Sequence, residues 1–586
     1  MKFIFGHMIK YRGRIVAQLI IKFTGTAAEF MIPYVLEYML DEVAPSENIV
    51  KMIICGLLMI GIAIFVRSMN IIANRKAVRI ASECIYNIRD DLFRKTMELS
   101  GSQVDKYGLP SLTSRMTSDS YNVQNFIRII QTMGVRAPIL LIGGMVVTMI
   151  MDFGLAMVLF ILVPLIIASV VIISKKGIPL YEKVQQKMDT IVRIMRENIT
   201  GIRVVKALSK EDYETARYKD ANREMFSSDT TASVVMSLPG PIMTLIMNIG
   251  LTVVVVLGAY RVNGGITKPG VILAFLTYFN MILMGVNGIN RIFIMTSKAN
   301  ASAGRISSVI DEGQDLVTVY GEDGFEGDIE NKKGTASDNK NKPYIAFKNV
   351  SFRYVKQGNE ADEYELTDID FELNKGGSLG IIGATGSGKT TVINLLMRFY
   401  DATKGSVIVD GKDVKEYKLT ELRKKFGVVF QNDVIFADTL HENIAFGREV
   451  DEKRAMEAVT DARAAEFVGE YEDGLQHKAD IHGANMSGGQ KQRILIARAL
   501  AAKPEILVLD DSSSALDYKT DALLRQMIRE HYNNTSTIII AQRISSIMNL
   551  DNIIVLDDGH IVGQGKHEEL MENCKEYRDI YDIQMN

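Results

Sequence analysis

Two adjacent carboxylates, Asp510 and Asp511, follow a run of four apolar residues, ILVL at 506–509. A short apolar run of this kind is consistent with a buried strand. An acid at the end of a strand can bind a metal ion, and a second acid beside it can act as a general base. The segment therefore predicts a metal-dependent hydrolytic site, with Asp510 as the metal-binding acid and Asp511 as the base.

A glycine-rich segment, GATGSGKT at 383–390, could hold the phosphates of a nucleotide. It fits the pattern G-x-x-x-x-G-K-[ST], with strand-like SLGII before it and helix-like TTVINLLMRFY after it. Backbone N–H groups and the helix N-terminus would surround the phosphate oxygens, Lys389 would reach the β- and γ-phosphates, and Thr390 would bind Mg²⁺. The predicted nucleotide-binding residues of this segment are Gly383, Ala384, Thr385, Gly386, Ser387, Gly388, Lys389, Thr390 and Thr391.

A second anion-binding pattern is MSGGQKQR at 486–493. Ser487 can cap the helix that follows, and the two glycines open backbone donors toward an anion. The segment GATGSGKT is of the type called a P-loop. In a chain that also has a P-loop, SGGQ resembles the signature of ATP-binding-cassette (ABC) proteins. In that family two cassettes face each other head to tail, and each ATP lies between one P-loop and the other cassette's signature. The resemblance implies that Ser487, Gly488, Gly489 and Gln490 bind ATP, and that a chain with one cassette needs a second chain.

The same resemblance assigns roles to residues in other motifs of the second half of the chain. Tyr354 matches the aromatic residue that stacks on adenine, and Gln431 matches the glutamine that senses the γ-phosphate and Mg²⁺ and touches the membrane domain. Asp510 matches the acid that holds Mg²⁺ through water, and Asp517 the acid that communicates across the dimer. The implied cofactors are ATP and Mg²⁺, with Thr390, Gln431 and Asp510 as metal ligands.

Three positions depart from the family pattern. Asp511 stands where the family has its catalytic Glu, Gln542 stands where hydrolysing members usually have His, and a Glu is common near Asp480. The shorter Asp carboxylate can miss the attacking water, and a neutral amide neither carries positive charge nor shuttles a proton. We therefore expect a site that holds ATP but splits it slowly, in a heterodimer whose partner carries Glu and His. A homodimer with two slow sites is the alternative.

The elements that position these motifs belong to a second domain, residues 344–586, in which short β-like runs alternate with helical ones. This alternation predicts an α/β domain with a mainly parallel sheet. Residues 311–343 are rich in Gly, Asp, Asn and Lys, and we interpret them as a tether, with a regulatory linker as the alternative.

The first domain, residues 1–310, is predicted to cross a membrane six times. Apolar runs long enough to span a bilayer lie near 15–39, 50–73, 135–152, 155–174, 236–260 and 270–296. The N-terminus lacks a cleavage-site pattern, so we expect the first span to be retained. Lys and Arg concentrate before the first span and in the long connections 75–132 and 176–230, which predicts cytoplasmic termini and a cytoplasmic-membrane location.

The resemblance extends to the long connections of this domain. SLTSRMTSDS at 111–120 and RENITGIRVVKALSKEDYE at 196–214 resemble the two intracellular loops of cassette exporters, which carry short coupling helices. The predicted fold class is thus a membrane all-α six-helix transmembrane domain fused to an α/β P-loop nucleotide-binding domain, as in a type I exporter half.

Polar residues inside the spans could contact a substrate. Lys22 and Glu29, two helical turns apart, share a face, and pairing between helices is favoured over cation binding. Asn280, Asn287, Asn290 and Arg291 are expected to face the transport pathway. Five methionines could line an adaptable apolar pocket or simply fill the membrane: Met236, Met243, Met247, Met281 and Met284.

The function predicted is ATP-driven export of an amphipathic, drug-like or lipid-like small molecule across the cytoplasmic membrane, with membrane lipid as a further partner. Peptide or lipid export, and a nucleotide-gated channel or regulatory subunit that binds ATP without pumping, are the alternatives. The net charge of −3 over 586 residues argues against a nucleic-acid partner, and three distant cysteines, Cys55, Cys84 and Cys574, predict neither a metal cluster nor a disulfide framework.

Overall fold

The computed structural model describes residues 1–316, 343–354, 364–512 and 515–585. Most of the predicted linker therefore lies outside the described residues. The chain divides into two compact units, an N-terminal unit of Met1–Met97 and Pro110–Glu312, and a C-terminal unit of Glu98–Leu109 and Gly313–Asn586. A short segment of the connection 75–132 thus belongs to the C-terminal unit.

The first part of the chain is helical throughout. Its helices are α1 Lys2–Ile9, α2 Arg12–Glu29, α3 Met31–Tyr38, α4 Ile49–Glu98, α5 Gly101–Tyr107, α6 Leu109–Ser114, α7 Ser120–Pro138, α8 Gly144–Met151, α9 Phe153–Thr200, α10 Ile202–Ala207, α11 Glu211–Ser237, α12 Pro239–Asn263 and α13 Pro269–Ile310. Within the described residues, six helical stretches are long and apolar enough to cross a membrane: Arg12–Ser46, Ile49–Glu98, Leu109–Met151, Phe153–Thr200, Glu211–Asn263 and Pro269–Ile310. The six predicted spans are confirmed, and several helices continue far beyond the length that a bilayer requires.

The turn between the third and fourth spans shows how local sequence ends one helix and starts the next. Asp152 leaves the helical region with extended backbone angles, and its Oδ1 accepts a hydrogen bond of 3.1 Å from the N–H of Leu155. This side-chain cap satisfies a donor at the start of α9. The other carboxylate oxygen accepts from Arg261 Nε at 3.1 Å and so connects this turn to α12.

The C-terminal unit contains two sheets and the remaining helices. Its strands are β1 Ile345–Phe352, β2 Leu366–Leu373, β3 Ser378–Gly383, β4 Lys404–Val409, β5 Lys412–Asp413, β6 Phe426–Val429, β7 Ile506–Asp510, β8 Ser536–Ile540, β9 Asn552–Asp557 and β10 His560–Gly565. Its helices are α14 Lys389–Leu396, α15 Leu419–Lys424, α16 Leu440–Ala445, α17 Glu452–Asp461, α18 Ala465–Gly469, α19 Gly488–Ala501, α20 Tyr518–His531, α21 His567–Asn573 and α22 Lys575–Met585.

The larger sheet has six strands in the order β10-β9-β3-β8-β7-β6. All neighbours in it are parallel except β10, which runs antiparallel to β9. The second sheet, β2-β1-β4-β5, is antiparallel. The predicted α/β fold with a mainly parallel sheet is confirmed, and the antiparallel sheet is an addition that the strand pattern did not predict. In sheets of this kind, ligands bind beyond the carboxyl ends of the parallel strands.

Candidate functional site

The carboxyl ends of four parallel strands bring the predicted chemistry together. β3 leads into the P-loop, β6 leads to Gln431, β7 ends on Asp510, and β8 is followed closely by Gln542. A cleft of about 160 Å³ lies at this edge. It is lined by Glu365, Thr385, Gly386, Gly388, Lys389, Thr390, Thr391, Gln431, Asp510, Asp511, Ile540 and Gln542. Glu365 and Ile540 are the two lining residues for which the sequence offered no signal.

The P-loop has the backbone shape that its glycines allow. Gly386 and Gly388 have φ angles of 87° and 91°, a region that residues with a side chain rarely adopt. A Cβ on Gly383 would lie 2.0 Å from the carbonyl oxygen of Leu556, so this position also excludes a side chain. Ser387, which belongs to the loop, is buried. Helix α14 begins at Lys389, directly after Gly388, and directs its N-terminal N–H groups into the loop.

Lys389 turns its ammonium group into the P-loop itself. Its Nζ donates to the carbonyl oxygens of Gly383 at 3.0 Å and Ala384 at 2.5 Å. Burial lowers the pKa of Lys389, while the nearby carboxylates Asp510 and Asp511 act in the opposite direction. The two carbonyl oxygens hold the Lys389 ammonium group at the mouth of the loop, where its positive charge can attract phosphate oxygens.

Thr390 and Asp510 form a pair of oxygen ligands at the base of the cleft. The hydroxyl of Thr390 donates to Asp510 Oδ2 at 3.1 Å. Asp510 is 2% exposed, and burial raises the pKa of its carboxyl group. A hydroxyl and a carboxylate in contact are the oxygen donors that Mg²⁺ prefers, so the donor set fits this ion.

Asp511 accepts hydrogen bonds from two side-chain amides. Gln542 Nε2 lies 2.9 Å from Asp511 Oδ2, and Gln431 Nε2 lies 3.5 Å from the same oxygen. The backbone N–H of Asp511 donates to the carbonyl oxygen of Ile540 at 2.9 Å. Burial raises the pKa of the Asp511 carboxyl group, and the hydrogen bond from Gln431 opposes that rise. Two of the three departures from the family pattern, Asp511 and Gln542, are therefore direct partners.

Tyr354 lies beside the helix that follows the P-loop. Its hydroxyl is 3.2 Å from Thr391 Oγ1, and it accepts from Asn394 Nδ2 at 3.2 Å. The ring meets Phe352 and Tyr400 edge to face, at centroid distances of 4.8 Å and 5.0 Å. Tyr354 does not line the 160 Å³ cleft, so its predicted contact with adenine stays a prediction.

The signature segment starts a helix at an exposed position. Ser487 Oγ accepts from the N–H of Gln490 at 3.3 Å, and Gln490 Oε1 accepts from the N–H of Ser487 at 2.8 Å. This reciprocal cap fixes the start of α19. A Cβ on Gly489 would lie 3.1 Å from the carbonyl oxygen of Ala515, so the two residues are close together. Ser487 and Gly488 are exposed, and no signature residue lines the cleft formed by the P-loop of the same chain.

Two further predicted residues have structural roles in this unit. Asp517 caps α20, accepting from the N–H of Thr520 at 2.9 Å and from its hydroxyl at 2.7 Å. These hydrogen bonds lower the pKa of Asp517. Asp480, in the loop before the signature, donates its backbone N–H to Asn485 Oδ1 at 3.0 Å. Neither residue lines the cleft, and the predicted communication of Asp517 across the dimer stays a prediction.

The short helix α5, in the connection 75–132, packs on the aromatic cluster near the P-loop, inside the C-terminal unit. Tyr400 donates its hydroxyl to Asp105 Oδ2 at 2.6 Å. A Cβ on Gly101 would lie 2.8 Å from Cζ of Tyr400, so the close approach depends on this glycine. Because Tyr400 also contacts Tyr354 and Phe352, the helix is connected to the nucleotide side of the unit through aromatic rings.

Charged residues within the N-terminal unit are paired between helices. Lys22, 3% exposed, donates to Asn70 Oδ1 at 2.7 Å and to Asn74 Oδ1 at 3.1 Å. Glu29 accepts from Arg136 Nη2 at 2.9 Å. The favoured interpretation, pairing between helices, therefore agrees with these contacts for both residues.

A cleft of about 330 Å³ lies in the same unit, lined by Met133, Arg136, Ala137, Leu140, Met284, Asn287, Gly288 and Arg291. Of the residues expected to face a pathway, Asn287 and Arg291 line it, whereas the exposed Asn280 donates to Leu276 of its own helix. Of the five methionines, Met284 lines the cleft, and Met243 and Met281 are buried among helices. The methionines are thus divided between cleft and packing.

A P-loop cleft on one unit and six membrane-spanning stretches on the other define a membrane protein with a nucleotide-binding domain. The chain belongs to the ABC transporter family: residues 15–286 match the ABC transporter transmembrane region, and residues 366–514 match the ABC transporter domain. It is therefore a multi-pass membrane protein with an ABC ATPase domain.

Similar proteins support this membership along the whole chain. The uncharacterized ABC transporter ATP-binding protein YfiB of Bacillus subtilis is 32% identical over 97% of this chain and 95% of its own. The ATP-dependent lipid A-core flippase of Syntrophus aciditrophicus is 29% identical, covering 86% and 81%. A bacterial Atm1-family ABC exporter with ATP bound has a TM-score of 0.79 at 23% identity, over 98% of both chains, and shares the fold.

Proposed function

We propose that this chain is one half of a heterodimeric ABC exporter that moves amphipathic small molecules, and that its own ATP site hydrolyses slowly. The observation that supports the slow site is the contact between Asp511 and Gln542, at 2.9 Å. A general base must accept a proton from water, and here the same carboxylate oxygen accepts from two amides. Burial makes Asp511 more basic, but the hydrogen-bonded amides compete with water for that oxygen.

Binding of ATP depends on groups that the departures leave intact. The P-loop N–H groups and Lys389 would hold the phosphates, and Thr390, Gln431 and Asp510 would supply oxygens to Mg²⁺, which would neutralise phosphate charge. Gln542 cannot take or give a proton, so stabilisation of charge on the γ-phosphate is weak at this position. The site therefore retains ATP more readily than it cleaves it.

The signature of this chain serves the partner. Its cap is formed, Ser487 and Gly488 are exposed, and it does not face the P-loop of its own chain. A partner P-loop placed against Ser487 and Gly488 would gain backbone donors at a helix N-terminus. If that partner carries Glu and His at the positions of Asp511 and Gln542, the site that it shares with this signature is competent. A homodimer with two slow sites is the competing arrangement.

The proposed substrate class is supported by the 330 Å³ cleft of the N-terminal unit. Arg291 and Asn287 offer polar contacts, and Met133, Leu140 and Met284 offer adaptable apolar ones. Such a lining suits an amphipathic molecule. The similarity to a protein named as a lipid A-core flippase favours a lipid-like substrate within this class. We place both termini in the cytoplasm, on the distribution of basic residues.

Two measurements test the proposal. Copies of this chain carrying two different affinity tags are expressed together with a candidate second exporter half, and the second tag is sought after purification on the first. A heterodimer retains the other half and not the second tag, whereas recovery of the second tag indicates a homodimer. In proteoliposomes, ATP-dependent accumulation of a fluorescent amphipathic dye favours the exporter. ATP-gated ion current without accumulation favours the channel alternative.

A further inference from the structure

Helix α22, near the C-terminus, contacts the segment that carries Gln542. Gln584 Nε2 donates to the carbonyl oxygen of Gln542 at 2.7 Å, and Gln584 Oε1 accepts from the N–H of Ile544 at 2.8 Å. One side-chain amide therefore satisfies an acceptor and a donor two residues apart on the same backbone. The pairing resembles that of two neighbouring strands, and it fixes both the position and the orientation of the Gln542 peptide.

The helix that carries Gln584 is itself held by the core of the C-terminal unit. Tyr577 is 0% exposed, and its hydroxyl lies 2.8 Å from His567 Nδ1. Ile580 and Tyr581 pack against the same core. Residues 577, 580, 581 and 584 recur at the spacing of one helical face, so Gln584 is presented two turns beyond a buried anchor. The neighbouring Ile583 is 81% exposed and points away.

The segment on the other side of Gln542 is fixed by the sheet. The N–H of Ala541 donates to the carbonyl oxygen of Ile381 at 3.2 Å, which connects it to β3. Gln542 therefore lies between a strand anchor and the amide of Gln584, and its own side chain reaches Asp511 at 2.9 Å. A shift of α22 would move the Gln542 backbone and, with it, the amide that faces the cleft.

We propose that Gln584 is a positioning residue for the ATP site: it holds Gln542 at the distance from which its side chain distinguishes ATP from ADP. The inference rests on the proposed place of Gln542 beside the γ-phosphate. It adds a residue 42 positions further along the chain that touches no nucleotide. Loss of the Gln542 contact with the γ-phosphate that Gln584 positions should reduce the preference for ATP about fivefold to tenfold, which corresponds to about 1–1.4 kcal/mol, within the range of one hydrogen bond.

The test uses the full-length protein in nanodiscs, with any chain that co-purifies. Photolabelling with 8-azido-[α-³²P]ATP is read on the band of this chain, and competition by ATP and by ADP gives the ratio of their affinities. The quantity compared is the ADP concentration needed for competition divided by the ATP concentration needed. Gln584→Ala should lower this ratio about fivefold to tenfold, and Gln542→Ala should do the same. The double variant should lose no more than either single one, because both act through the same contact.

Controls separate positioning from general damage. Ile583→Ala, on the same helix but exposed, should leave the ratio unchanged. Gln584→Glu keeps the acceptor for Ile544 but loses the donor at neutral pH. Its ratio should recover toward wild type as the pH falls and the carboxyl group gains a proton that it can donate to Gln542, which simple destabilisation would not produce.

The outcomes distinguish this inference from the proposed function. If Gln542→Ala lowers the ratio and Gln584→Ala does not, the positioning role is wrong while the site assignment stands. If Gln542→Ala leaves the ratio unchanged, the assignment and the inference both fail. Additive losses in the double variant would also contradict the positioning role, because they would show two independent effects.

Discussion

The contact between Asp511 and Gln542 predicts that two substitutions together will accelerate hydrolysis. In Asp511→Glu with Gln542→His, the carboxylate gains one methylene and reaches about 1.5 Å further into the cleft. The neutral amide is replaced by an imidazole that can carry charge. The change removes the hydrogen bond of 2.9 Å that competes with water for Asp511 Oδ2.

The size of the gain follows from that hydrogen bond. A hydrogen bond to a charged group contributes about 1.5–3 kcal/mol, and a base that must break it before accepting a proton is slowed by ~10-fold to ~150-fold. A well-placed general base accelerates a reaction by about 10²-fold to 10⁴-fold, so removal of this hydrogen bond recovers only part of that acceleration. We therefore expect cleavage in this chain's own site to rise by about 10-fold to 100-fold.

The assay is vanadate trapping of photoreactive ADP in the full-length protein, read on the band of this chain. A matched control, Asp579→Glu with Gln526→His, makes the same two chemical changes at exposed positions of the C-terminal unit and should leave trapping unchanged. If the double variant at the cleft traps no more ADP than wild type while still binding ATP, the contact is not what slows the site.

Three further variants report on other parts of the unit. Ser487→Ala removes a helix cap worth about 1 kcal/mol, and it should lower phosphate release in the partner's site without releasing ATP from this chain's P-loop. Asp510→Asn should abolish Mg²⁺-dependent ATP binding yet raise the Tm at pH 7, because burial raises the pKa of Asp510 and so penalises the charged form. That gain should vanish as the pH falls through the raised pKa, because the wild-type carboxyl then gains its own proton; an equal gain at pH 7 and at the lower pH in thermal unfolding would contradict it. Tyr400→Phe removes the hydroxyl that donates to Asp105. The amount of substrate transported per ATP hydrolysed should fall while ATP binding is retained. If that amount is unchanged, the contact does not couple hydrolysis to transport.

Contiguous motifs explain why the family and the fold could be predicted from the sequence. The P-loop needs glycines at positions with positive φ, as at Gly386 and Gly388, directly between a strand and a helix, so shape and chemistry occupy a few neighbouring residues. The membrane spans are likewise local, since about 20 apolar residues in a row define each one.

Contacts between distant residues could not be predicted in the same way. Lys22 and Glu29 share a face, but their partners Asn70, Asn74 and Arg136 lie 48 to 107 residues away, and no spacing rule relates them. The two glutamines Gln542 and Gln584 show the same limit. Their pairing depends on how α22 packs on the core, which the local pattern of that helix does not specify.

Neither the antiparallel sheet nor the assignment of helix α5 to the C-terminal unit could be predicted from the sequence. The alternation of β-like and helical runs does not specify whether β1 and β2 pair with each other or with β3, because that depends on side-chain packing. Helix α5 carries little apolar sequence of its own. It belongs to the C-terminal unit because Gly101 allows a close approach to Tyr400.

Phosphate release by the full-length assembly with Asp511 removed tests the central claim most directly. That claim is that this chain holds ATP while the site completed by its signature does most of the cleavage. Asp511→Ala should then lower steady-state phosphate release less than about twofold, whereas removing the corresponding base of the partner should remove nearly all of it. Loss of release in Asp511→Ala as complete as in the partner variant would show that this site cleaves ATP in its own right.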